Sequence, residues 1–261
     1  MMAENLMVSF IQSSLVWENP TENLRQFTTK IKAIKQPIDL LVLPEMFTTG
    51  FTMNTACVSK EDQEKTFLWM KKIASEKDAC VLGSVIHFEG ETYYNRLWVV
   101  FPSGESLYYD KKHLFTLAKE QENYSPGTSK LLFEYKGWRI SPLICYDLRF
   151  PVWARNTEDY DLLLYVANWP KVRVDAWDAL LKARAIENMS YCLGVNRCGT
   201  DGKGFEYTGN SAMYDMLGKQ LSQPNHRSIE FTDIVNLSYE ALHNTRNKLG
   251  FLNDADAFSL T

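Results

Sequence analysis

The feature that most restricts the fold lies in the first third of the chain, where apolar strands alternate with an amphipathic helix pattern. Leu6–Gln12 reads as a strand. Asn19 follows as a helix N-cap, with Pro20 at the first helical position and Leu24, Phe27, Ile31 and Ile34 at helical spacing. A second apolar strand over residues 39–43 ends at Pro44, Phe67, Leu68, Ile73 and Ala74 mark a second helix, and a third strand covers residues 80–88. Such a βαβαβ run demands parallel strands with helices laid over the sheet, because parallel neighbours can be joined only by a crossover.

Past residue 88 the punctuation changes. Glu89 and Gly90 separate two strands, Ser103 and Gly104 separate two more, and Lys136 and Gly137 divide residues 131–135 from 138–145, so neighbouring strands there are expected to be antiparallel. Alternation then returns, with a strand over 161–167, a helix over 174–188, strand Tyr191–Asn196, a Gly-rich loop and a strand over 211–214. Mixed sheets with helices outside predict a layered α/β fold, a sandwich of two sheets. With 45% hydrophobic residues in 261 and no linker or low-complexity stretch, one domain over 1–261 is expected.

The net charge of -4, without a clustered basic stripe, argues against nucleic acid as a partner. No apolar run approaches the roughly 18 residues of a membrane span, so a soluble, cytoplasmic protein is expected. Cys57, Cys80, Cys145, Cys192 and Cys198 are odd in number and lack a CxxC pair, which fits reduced thiols. His87, His113, His226 and His243 show neither HxH nor HxxxH spacing, so neither a metal nor a cofactor is expected.

Three segments each set a reactive side chain just beyond an apolar strand, where α/β sheets collect their ligands: LLVLPEMF with Glu45, YYDKKHLF with Lys111, and SPLICYDLRFP with Cys145. Singly, each has a bland explanation as a turn acid, a surface lysine or an inert core thiol. Together, and in this order, they resemble the nitrilase superfamily, whose Glu-Lys-Cys triad occupies segments of these kinds. Glu120 in LAKEQENYSPG, the VANWP segment at 166–170, ARAIEN at 183–188, and NRCGTDG followed by YTGNS extend the likeness along most of the chain.

The resemblance implies a four-layer α-β-β-α sandwich with two mixed sheets and helices outside, and hydrolysis of a small amide. Cys145 would be the nucleophile, Glu45 the general base, Lys111 the oxyanion partner and Glu120 an assisting glutamate. Within the family pattern Y-x-K-x-H-L-F the lysine falls on Lys111 and leaves Lys112 as a surface charge. A thiol with a free pKa of roughly 8.5 needs such help, being only a few per cent thiolate at neutral pH. Tyr146, Arg149, Trp169 and Arg173 are the expected substrate contacts. For Arg149 the competing expectation is an ion pair with Asp147 or another acid. Glu187 is expected to be structural.

CYDLRFPVWARN, VANWPKVRVDAW and NRCGTDGKGFEYTG most resemble the bacterial omega-amidase branch, which hydrolyses 2-oxoglutaramate and related monoamides of dicarboxylic acids. Asn210 departs from it, since relatives tend to carry Asp there, and this puts local loop hydrogen bonding in question. Other amidases, nitrilases and N-carbamoyl hydrolases share the triad. A papain-like protease would need a histidine partner, and a non-catalytic interaction protein would have no reason to keep the triad. A homodimer or higher homo-oligomer is expected from the resemblance alone.

Overall fold

In the computed structural model, which describes residues 4–224 and 227–259, the local signals act where the sequence puts them. His226 lies outside the described residues. After strand β1 (Leu6–Gln12), the Asn19 side chain accepts the Glu22 N–H at 3.1 Å and starts helix α1 (Pro20–Ala33), which buries Phe27 and Ile31. Strand β2 (Leu40–Val42) is shorter than the apolar run that announced it. Helix α2 (Lys60–Lys77) begins at a reciprocal Ser59–Asp62 capping box and buries Met70, Ile73 and Ala74, whereas Leu68, which also marked the helix, is 64% exposed.

Strands β3 (Cys80–Glu89), β4 (Thr92–Val100) and β5 (Ser106–Asp110) form the antiparallel run expected from the Gly90 and Gly104 turns. Strand β6 (Phe133–Tyr135) and β7 (Trp138–Ile144) form a hairpin whose turn residues Lys136 and Gly137 both take positive φ, of 51° and 80°. A short helix α3 (Pro151–Ala154), strand β8 (Leu162–Ala167), helix α4 (Val174–Glu187) and strand β9 (Tyr191–Asn196) follow. A small ribbon of β10 (Cys198–Thr200) and β11 (Glu206–Thr208), strand β12 (Ala212–Tyr214), strand β13 (Phe231–Leu237) and helix α5 (Tyr239–Leu249) complete the order.

Two mixed sheets result, one ordered β13-β1-β2-β3-β4-β5 and the other β12-β9-β8-β7-β6. Each has three parallel strands at its heart and antiparallel strands at its flanks. The period of two decides what meets what. Leu40 and Val42 join Leu6, Val8 and Phe10 in the core shared with the second sheet, while Leu41 and Leu43 point the other way, onto Phe27, Ile31, Met70 and Ile73 of α1 and α2. On the second sheet, Gly194 of β9 lets Trp177 and Leu181 of α4 press against the strand; a Cβ there would lie 2.3 Å from Leu181. Helices therefore cover both outer faces, as the α-β-β-α expectation had it.

Asn210 resolves the question raised by its departure. Its side-chain amide donates to both carboxylate oxygens of Asp178 on α4, at 3.1 and 2.8 Å. An aspartate at 210 would set two carboxylates face to face, so asparagine is the residue that lets this loop close on α4.

Candidate active site

Because β2, β5, β7 and β8 all point their C-terminal ends to one edge of the sandwich, the residues just after them converge. Glu45 comes three residues after β2, Lys111 immediately after β5, Cys145 immediately after β7 and Asn168 immediately after β8. Lys111 Nζ lies 3.0 Å from Glu45 Oε1 and 3.0 and 2.9 Å from the two oxygens of Glu120. All three side chains are at most 1% exposed. Lys111, and not Lys112, is thus the lysine that meets the glutamates.

Further donors hold the carboxylates. Asn168 N donates to Glu45 Oε2 at 2.7 Å, and its side chain reaches back to the Glu45 carbonyl at 2.6 Å. Phe115 N donates to Glu120 Oε2 at 2.6 Å. Burial raises the Glu120 pKa against the pull of Lys111. Burial works to depress the Lys111 ammonium, but the charges of Glu120 and Glu45 outweigh it and hold the group above its ordinary range. Lys111 is therefore a fixed cation.

Cys145 opens a 3-10 turn, Cys145–Arg149, with φ of +44°, a region that side chains avoid and that costs about 1–3 kcal/mol unless the surroundings impose it. Asp147 imposes it. Its buried carboxylate accepts Ile144 N at 3.0 Å and the Tyr109 hydroxyl at 2.8 Å on one oxygen, and His113 N and Nδ1 at 3.0 and 2.8 Å on the other. Burial pushes the Cys145 thiol well above its usual pKa, Glu45 adds to the rise and Lys111 opposes it. A neutral thiol beside a carboxylate base is the arrangement for proton transfer coupled to attack on a carbonyl.

A cavity of about 280 Å³ opens above these groups. Glu45, Lys111, Cys145 and Asn168 form its floor, and Phe51, Phe115, Tyr146, Trp169 and Tyr207 stand among its walls. Arg149, Arg173 and Lys203 reach its rim. All four expected substrate contacts thus line it. Arg149 is not paired with Asp147 or any other acid among the described residues: it stacks on Trp169, 4.8 Å from the ring centroid. Arg173 lies 5.2 Å from the Phe115 centroid. Glu187 stays outside the cavity and pairs with the buried Arg184 at 2.8 Å, the structural role expected of it. Among the described residues no histidine, the partner a papain-like protease would need, lines the cavity.

Sequence reasoning missed Asn95, Asn168, Asp147 and the ribbon residues Asp201, Lys203, Phe205 and Tyr207. Asn168 stands at a strand end inside the quoted VANWP segment, Asp147 inside SPLICYDLRFP and the ribbon residues inside NRCGTDGKGFEYTG, so all but Asn95 lay within a quoted segment; what each does there becomes visible only when chain segments meet. Asp201, for example, organises the ribbon tip by accepting Lys203 N, Phe205 N and the Tyr207 hydroxyl at 2.9, 3.0 and 2.9 Å.

Comparison with known proteins gives a consistent set of likenesses. Residues 7–247 match the profile of the carbon-nitrogen hydrolase family. The chain is similar to Omega-amidase YafV of Yersinia enterocolitica, at 44% identity over 255 residues covering 98% of each protein. It is 34% identical over 221 residues to the 2-oxoglutaramate amidase of Bacillus subtilis, covering 83% of this chain and 85% of that one. Among solved structures, XC1258 of Xanthomonas campestris, a CN-hydrolase superfamily protein with an arsenic adduct in its active site, superposes with a TM-score of 0.90 at 38% identity, covering 98% of this chain and 99% of that one.

Proposed function

The chain belongs to the carbon-nitrogen hydrolase family, a hydrolase acting on amides, and from that premise we propose that it is an omega-amidase that removes the terminal amide of small dicarboxylic acid monoamides such as 2-oxoglutaramate. The observation that carries the reading is the convergence of Glu45, Lys111 and Cys145 under a cavity whose rim bears arginines without carboxylate partners among the described residues.

In the proposed cycle Glu45 takes the Cys145 thiol proton as Sγ attacks the amide carbon. The oxygen becomes an oxyanion held by Lys111 Nζ and by a backbone N–H of the turn at Cys145; losing one such donor typically costs about 2.7–4 kcal/mol. Glu45 then gives its proton to the amide nitrogen, the C–N bond breaks, ammonia leaves and a thioester remains. Water attacks the thioester while Glu45 takes its proton, and collapse returns the acid and the thiol. Glu120 keeps Lys111 charged and aimed. Arg173, half-buried and so less screened by water than the exposed Arg149, is the stronger clamp for the distal carboxylate, with Tyr146 and Trp169 flanking the carbon chain.

We further propose a cytoplasmic enzyme, one domain throughout, acting as a homodimer. No helix among the described residues is long and apolar enough to cross a membrane. The deciding experiment is ammonia release from a panel of 2-oxoglutaramate, neutral aliphatic amides and nitriles, with wild type and Cys145→Ala in parallel. Turnover of 2-oxoglutaramate above the neutral amides, abolished by the variant, is expected. Preference for a neutral amide or a nitrile would overturn the omega-amidase assignment.

A further inference from the structure

Asn95 sits in β4 opposite Ile86, fully buried, where the strand would gain more from an apolar side chain. Its Nδ2 donates to Glu45 Oε1 at 2.8 Å and approaches Glu120 Oε1 at 3.4 Å, while its backbone carbonyl accepts Lys111 N at 3.0 Å. One residue therefore touches both glutamates and the lysine. The amide orientation is dictated, since turning it over would set Oδ1 against two carboxylates. In the orientation adopted, Oδ1 is buried without a hydrogen-bond partner. A buried acceptor left unsatisfied lowers stability, so the fold tolerates this atom in order to aim the NH2 at the acid pair.

We propose that Asn95 is a positioning residue for the amidase reaction: it fixes the rotation of the Glu45 carboxylate and ties it, through Glu120, to the lysine that faces the oxyanion. The inference rests on the triad reading above. An amide N–H favours the ionised form of a carboxylate, and Glu45 must be ionised to accept the thiol proton. Lys111, Glu120, the Cys145 thiol and the Tyr124 phenol also face this carboxylate and Asn168 N holds its Oε2, but none of them can substitute for the Asn95 amide on Oε1. Lys111 already serves both glutamates, and Tyr124 spends its hydroxyl on the Thr52 carbonyl at 2.7 Å.

The test is the rate-against-pH profile of Asn95→Leu, an apolar residue of similar size, on the best amide substrate, with active sites counted by iodoacetamide titration of the thiol. Per active site, kcat is expected to fall roughly tenfold to a hundredfold with KM within about twofold, and the acid limb of kcat/KM to move up by about half a pH unit or more. If the leucine variant does not fold, Asn95→Ala carries the same expectation with less steric demand. Full activity per active site, or a loss with the acid limb unmoved, would reduce Asn95 to a packing residue and overturn the proposal. Cys145→Ala separates the two readings: if it retains turnover the triad itself falls, whereas an inactive Cys145→Ala beside an unmoved acid limb sinks only the role of Asn95.

Discussion

The floor and the rim of the cavity are built on opposite principles. At the floor and just beneath it Lys111, Glu45 and Glu120 are buried and their charged atoms are engaged several times over, Lys111 Nζ within hydrogen-bond distance of both carboxylates and the Asn168 and Phe115 backbone N–H groups donating to them. At the rim Arg149 is exposed, Arg173 half-buried and Lys203 exposed, and none has an ion-pair partner among the described residues. Charges in the interior keep their geometry only when satisfied from several sides, whereas charges facing water can wait for a ligand at little cost. The contrast is what the proposed division of labour rests on, with chemistry at the floor and substrate choice at the rim.

The largest break is expected at the nucleophile. Cys145→Ala should lose at least about a thousandfold in kcat on every amide tested, leaving only binding and oxyanion stabilisation. Alkylation should report the same atom: iodoacetamide inactivation tracked by peptide mass should modify Cys145, and inactivation through Cys192 or Cys198 with Cys145 free would refute the assignment.

Next comes the lysine pair. Lys111→Ala should lower kcat by about a hundredfold or more and also destabilise the fold by about 3–5 kcal/mol, because two carboxylates would be left buried without their cation. Lys112→Ala should stay within about twofold in activity and lose no more than about 1 kcal/mol, since its Nζ lies 5.4 Å from the Trp153 ring centroid, away from the glutamates. Denaturant unfolding beside steady-state kinetics checks both, and a reversed order would move the catalytic charge.

How much of this contrast could be read in advance follows from range. Glu45, Lys111 and Cys145 become candidates because each follows an apolar strand, and it is their order and resemblance to the family triad that mark them, while Asn19-Pro20 announces α1 with its cap. Asn95 does not, since a polar residue within a strand reads as the solvent side of an alternation and its carboxylate partners come 50 residues before it and 25 after. Strand β13 escaped for a related reason: Asp233 is buried where the alternation calls for an apolar residue, because its carboxylate accepts Gln223 N at 2.9 Å, and Ile234, only half-buried, packs on the opposite face against the helix-side core. Helix α5 buries Leu242 alone and so carries little periodic signal.

The rim should respond more gently and selectively. Arg173→Ala is expected to raise KM for an anionic monoamide roughly tenfold to a hundredfold, the scale of a charged hydrogen bond of about 1.5–3 kcal/mol, and to leave a neutral amide nearly unaffected. Arg149→Ala should do less, its exposed guanidinium being screened by water. Smallest is Lys203→Met on the ribbon tip, expected to slow kcat/KM for the anionic substrate about twofold to fivefold at low ionic strength and to have no effect at high salt. A salt-independent loss would mean direct contact instead of steering.

The division of labour is tested most directly by kcat/KM for two amides of equal length, one carrying a distal carboxylate and one neutral, measured with wild type, Glu45→Gln and Arg173→Ala. The account predicts that Glu45→Gln lowers both substrates by the same large factor, while Arg173→Ala lowers only the anionic one and so collapses the ratio between them. Equal losses on both substrates in Arg173→Ala, or a Glu45→Gln enzyme that spares either amide, would contradict it.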